Sequence, residues 1–146
     1  MMLIKYRHTD GAIRGTWSTD LESLLRHQMQ GDDPAHGYLM QAEDIDVGLV
    51  SDRYYVTGER LTPKTALTLT ADPTMFPADG RTVCRVTVTP FVPCTLLVDG
   101  QPLALTPGDS VLELTAQAAH TFFIALDPMV TAWAEPIAVE AADAAR

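Results

Sequence analysis

Along most of the second half of the chain, hydrophobic and polar positions alternate with a period of two. That is the period of a strand whose two faces meet different surroundings. In Val83-Cys84-Arg85-Val86-Thr87-Val88, the residues Cys84, Val86 and Val88 fall on one face, and Arg85 and Thr87 on the other. Val111, Glu113 and Thr115 likewise oppose Leu112 and Leu114. Antiparallel sheets with one buried and one wet face give this pattern. Strand-like runs are predicted at 65–70, 82–89, 95–98, 102–105, 110–115, 121–126 and 136–140. Turn formers separate them: Ala78-Asp79-Gly80, Pro90 to Pro93, Asp99-Gly100, Pro107-Gly108-Asp109 and Asp127-Pro128. Many short strands spaced by turns are the signature of a β-sandwich. One run breaks the alternation. Phe122 and Ile124 alternate with Phe123 and Ala125, so both faces are apolar, as a subunit or domain contact would require.

The first 62 residues follow a mixed pattern. Residues 3–8 and 12–17 flank Asp10-Gly11, a strong hairpin turn pair. Thr19, with Glu22 three positions on, fits a capping box, and Leu21, Leu24, Leu25 and Met29 recur at helical spacing until Gly31 stops the run. Further strands are predicted at 38–40 and 53–57, separated by the acidic stretch Glu43-Asp44-Ile45-Asp46. The expected fold is mainly β: a sandwich over residues 63–146, preceded by a small α+β region over residues 1–62 with a hairpin, one short helix and further strands. A region that small buries a marginal core alone. It is expected to pack on the sandwich, on a neighbouring subunit, or on both.

Charge narrows the function. Ten Lys and Arg against 19 Asp and Glu give a formal charge of −9 over 146 residues. Nucleic-acid binding is not expected, because phosphate contacts need clustered cations. No run approaches the roughly 20 apolar residues that cross a bilayer, and the opening Met1 to Ile4 is too short for a secretory leader. The expectation is a protein made in a cytoplasm, with no membrane partner. Cys84 and Cys94 are too few for a disulfide scaffold and lie in apolar strand-like runs, where Cys serves as a small hydrophobe.

One segment carries a family likeness. The run Leu67-Thr68-Leu69-Thr70-Ala71-Asp72-Pro73, followed by Pro77-Ala78-Asp79-Gly80-Arg81-Thr82-Val83-Cys84-Arg85-Val86-Thr87-Val88, resembles bacterial Ig-like domains of the invasin and intimin type. In those domains a turn with Ala-Asp-Gly joins the first strands. Val98-Asp99-Gly100 and residues 119–126 are similar to their later strands, so the likeness spans roughly residues 63–141. A second likeness covers the junction Tyr54-Tyr55-Val56-Thr57-Gly58-Glu59-Arg60-Leu61-Thr62-Pro63. It looks like small virion proteins of tailed bacteriophages, in which a short N-terminal region leads into one Ig-like module. The resemblance implies a structural component of a phage or prophage particle, assembled in the host cytoplasm. Its partners would be other virion proteins and further copies of itself.

No arrangement of residues points to catalysis. His8, His27, His36 and His120 show no metal-ligand spacing, and no phosphate loop or Gly-x-Ser-x-Gly is present. Asp32, Asp33 and His36 form the densest polar cluster, which reads as a solvated loop beside Pro34. Glu43, Asp44 and Asp46 could hold Ca2+, yet no EF-hand pattern surrounds them. No cofactor, metal site or catalytic residue is expected. The candidates for interaction are the aromatics Trp17, Tyr38, Tyr54, Tyr55 and Trp133, since aromatic anchors dominate interface energies. Core filling by Trp17 and Trp133 is the competing reading. Two other functions fit the same sequence: a module that binds a host surface glycan through its loops, or an accessory that helps assemble a fibre and then leaves.

Overall fold

The computed structural model describes residues 2–18, 26, 29, 34–41 and 47–143. The helix expected after Thr19, the Asp32-Asp33 pair and the acidic stretch at 43–46 lie outside the described residues. The chain is mainly β, with several sheets and, among the described residues, one short helix. It divides into two compact units, Met1–Thr65 with Val130–Ala132, and Ala66–Met129 with Trp133–Arg146.

In the first unit, β1 (Met2–Arg7) is the central strand of a three-stranded sheet, between β2 (Ile13–Ser18) and β3 (His36–Gln41). Both pairings are antiparallel. A seven-residue helix, α1 (Val47–Arg53), then leads into the ribbon of β4 (Tyr54–Thr57) and β5 (Arg60–Pro63). Met2 and Ile4 on one face of β1 pack with Val50 of α1 and Val56 of β4, and Tyr6, Ile13, Leu39 and Leu61 close around them. Here the structure corrects the sequence reading. Arg53 ends a helix rather than opening a strand, and residues 60–63, where no strand was expected, pair as β5. Val and Gly are weak helix formers. What outweighs propensity is the burial of Val50, which is fully enclosed in the core.

The turn between β1 and β2 is fixed by its backbone. Gly11 takes φ +80, its N–H donates to Arg7 O, and its carbonyl accepts from the Val56 N–H at 2.9 Å. A Cβ at this position would lie 1.9 Å from the Val56 carbonyl oxygen. Only glycine satisfies both the positive φ and the close approach. Asp10 completes the turn. Its carboxylate accepts from the Arg7 guanidinium and from the Ala12 N–H, which holds its pKa down to about 2.

The second unit is built from two sheets. The first runs in the order β11 (Val111–Leu114), β8 (Cys84–Thr89), β6 (Thr65–Asp72), β13 (Ala132–Ala134). The second runs β10 (Gln101–Leu105), β9 (Cys94–Val98), β12 (His120–Leu126), β14 (Ile137–Ala142), β7 (Met75–Pro77). Alternation decides which face of each is buried. Leu67 and Leu69, Cys84, Val86 and Val88, and Leu112 and Leu114 are buried in the four-stranded sheet. Leu96, Ile124, Leu126, Val139, Ala141 and Phe76 are buried in the five-stranded one. Two sheets that each bury one face make a β-sandwich-like arrangement. Every strand predicted after residue 63 is present, with ends shifted by one or two residues. Two more, β7 and β13, were not expected from the sequence.

Candidate functional site

The five aromatic candidates do not form one platform. Trp17 and Met40 both stand opposite Leu3, and Tyr38 stands opposite Lys5, so Trp17 and Tyr38 share one face of the three-stranded sheet, flanking β1. The Trp17 ring lies along that face, over Gly15, where a Cβ would meet it at 3.1 Å. Tyr54 and Tyr55 point to opposite sides of β4, as neighbours on a strand must. Trp133 belongs to β13 in the other unit. All five are half-buried, so each shares its surface between packing and solvent.

A more exposed aromatic lies elsewhere. Phe123 in the middle of β12 is 64% exposed, more than any other large hydrophobic residue among those described. The register explains why. Ile124 stands opposite Val98 and Ile137, on the buried face. Phe123 is one residue earlier, so it projects to the other side, opposite Ala138. Ala125 and Leu97 form the next pair on that outer face. Beside Phe123 a shallow groove of about 370 Å³ is lined by Leu97, Gly100, Ala125, Pro136 and Ala138, with Ile124 and Ile137 beneath. The five strands of this sheet contain no Lys or Arg, and Glu140 is their only acidic residue.

The hairpin joining β9 and β10 holds Phe123 in place. Asp99 and Gly100 both take positive φ, 50 and 83, as the two central residues of a type I′ turn do. From there Asp99 reaches across to β12. Its backbone N–H donates to the Phe123 carbonyl at 2.9 Å, and its Oδ1 accepts from the Phe123 N–H at 2.9 Å. Its Oδ2 lies 2.8 Å from Nε2 of His120. The Phe123 N–H, and then His120, hold the Asp99 carboxyl below the usual carboxylate range. The imidazole of His120 meets the Phe122 ring edge-on at 4.6 Å, and Phe122 stacks on Phe76 at 6.4 Å. Sequence reading saw Asp99 only as a turn former. Its partner is 24 positions away, and no local signal announces that contact.

The Ala78-Asp79-Gly80 turn is a second built feature. The Ala78 N–H donates to the Ala142 carbonyl at 2.7 Å and the Gly80 N–H to the Ala116 carbonyl at 2.8 Å, tying the turn to two distant segments. The Asp79 carboxylate accepts from the N–H groups of Thr82 and Arg81 and from the Thr82 hydroxyl, and these bonds lower its pKa. Each acceptor is used locally, so the turn shapes the chain.

The two cysteines are free thiols. Cys84 donates to the Pro73 carbonyl at 3.1 Å, and burial pushes both thiols upward in pKa, which disfavours the reactive thiolate. Among the described residues no three His, Cys, Asp or Glu side chains gather as metal ligands would. No described helix is long and apolar enough to cross a membrane. No family model, curated protein or solved structure matches the chain.

Proposed function

We propose that this is a structural and interaction protein rather than an enzyme: a bacteriophage or prophage virion component whose second unit is an Ig-like module. The observation that carries the interaction reading is the outer face of the five-stranded sheet, where exposed Phe123 and Ala138 adjoin half-buried Leu97 and Ala125. Isolated exposed apolar residues are ordinary, but a contiguous apolar patch marks a binding surface. The Ig-like reading is supported by strand order. In an Ig sandwich the first, second and fifth strands share one sheet, while the third, sixth and seventh share the other. Leaving aside the three-residue β7 and β13, the corresponding strands here are β6, β8 and β11, and β9, β12 and β14, while β10, in the fourth place, pairs with β9 in the second sheet instead of joining the first. The parallel pairing of β7 with β14 extends the second sheet.

The virion assignment rests on the resemblance at residues 54–63 and 63–141. In this reading the first unit attaches the protein to the particle and the Ig-like module faces outward or cements neighbours. The test is peptide mass spectrometry on density-purified particles induced from the source strain. Stoichiometric recovery with the particle proteins is expected. Abundance in the lysate with absence from particles would overturn the assignment and leave the accessory reading.

A further inference from the structure

We infer that the outer face around Phe123 docks a second protein of opposite character: an aliphatic or aromatic side chain seated in the groove, with Lys or Arg around it. This rests on the interaction reading above and names the partner's chemistry.

Three observations lead there. First, the groove is apolar, and the Phe123 backbone that presents the ring is tied to Asp99 by two hydrogen bonds, one donated and one accepted by Asp99, so the strand beneath the ring need not be ordered on binding. Second, the charges that border the face are acidic. Glu140 follows Ala138 on the outward side of β14, and Asp127 comes directly after β12 with its N–H on the Thr95 carbonyl, while Asp99 at the turn is bonded to His120 and Phe123. Third, the module cannot supply the matching cations itself. Arg81 and Arg85 are the only Lys or Arg residues between positions 66 and 143, and the one histidine there, His120, is already bonded to Asp99. Arg85 is on the other sheet, beside Glu113. A second copy docked face to face would bring Glu140 and Asp127 of both copies together with no Lys or Arg between them, and like charges so placed are costly. A partner with a basic rim meets apolar with apolar and acid with base.

The experiment uses the full chain, labelled with 15N, and two synthetic peptides. Both carry a central Leu-Phe-Leu run; one is flanked by lysines and the other by glutamates. The lysine-flanked peptide is expected to shift the amides of Leu97, Phe123, Ala125 and Ala138 saturably. It should bind at least about fivefold tighter than the glutamate-flanked one, with the gap closing in high salt as screening grows. Phe123→Thr should weaken binding about tenfold, the loss typical of a central anchor, while its thermal unfolding stays that of the wild type. Equal binding of the two peptides, shifts on another surface, or no binding would each overturn the inference. So would concentration-dependent dimerisation in sedimentation that Phe123→Thr abolishes, since that makes a second copy the occupant. The particle assay is independent of all these outcomes. Recovery from particles with a failed titration would remove this inference and keep the virion reading; the reverse pair of results would do the opposite.

Discussion

On the four-stranded sheet the outward positions are Thr68, Thr70, Arg85, Thr87 and Glu113 with Ala66 and Val111 among them; on the five-stranded sheet Leu97, Phe123, Ala125 and Ala138 form an apolar centre, with Thr95, Thr121 and Glu140 outward beside them. Both sheets solve the inner problem alike, with a layer of Leu, Val and Ile that water does not reach. The outer solutions differ. The first sheet is finished with polar pairs, including a hydroxyl bond between Thr70 and Thr87 at 2.7 Å and the exposed Arg85 and Glu113 pair at 3.8 Å. The second is left apolar at its centre, around Phe123, with the polar pair Thr121 and Glu140 beside it. Folding requires one buried face per sheet, so the apolar outer residues do not serve the sandwich itself. They are free to serve something outside it.

The sharpest way to break this comparison is to cut the same strand on its two sides. Ile124→Ala removes a fully enclosed side chain and should cost about 2 to 5 kcal/mol in denaturant unfolding. Phe123→Thr, one position earlier, should stay within about 1 kcal/mol of wild type. Similar losses at both positions would mean that Phe123 is part of a core after all.

A smaller effect concerns the clamp on Phe123. Asp99 has a depressed pKa in the folded protein, so its contribution is present above the ordinary carboxyl range, near pH 4, and disappears as pH falls through the folded value. Asp99→Asn should therefore be less stable than wild type at neutral pH. The deficit should shrink on acidification below about pH 4, read from melting curves across pH. A deficit unchanged down to low pH would show that the hydrogen bonds matter and the charge does not. The smallest effect is expected on the polar sheet. Glu113→Gln should change stability by less than about 0.5 kcal/mol, because the ion pair is long and open to water.

The strands of the second unit were legible because each needs only its own alternation to be recognised. Cys84, Val86 and Val88 announced an inward face, and the structure buries all three. What escaped depends on distant partners. β7 is three residues long and exists by pairing with β14, where Met75 stands opposite Glu140. α1 is held by Val50 in a core assembled from β1 and β4. The candidate site was half legible. The run 120–126 showed its two apolar faces in the sequence, while the choice of exposed face was set by the register of β12 against β9 and β14. The aromatics singled out by type alone were scattered over several elements instead.

Three hairpin turns with glycine at positive φ also differ in how much they can be edited. Gly58, with Glu59 beside it at φ 60, has nothing within 4 Å of where a Cβ would stand, and Gly100 is equally open. Gly11 has the Val56 carbonyl against it. An epitope or fluorophore-binding tag spliced between Gly58 and Glu59 therefore has room to leave the surface without disturbing a neighbour. At Gly100 it would shadow the Phe123 groove. Between Asp10 and Gly11 it would pull apart the bond that joins the first hairpin to β4. The molecule thus offers one turn for a reporter, one for a blocking insertion, and one to be left untouched.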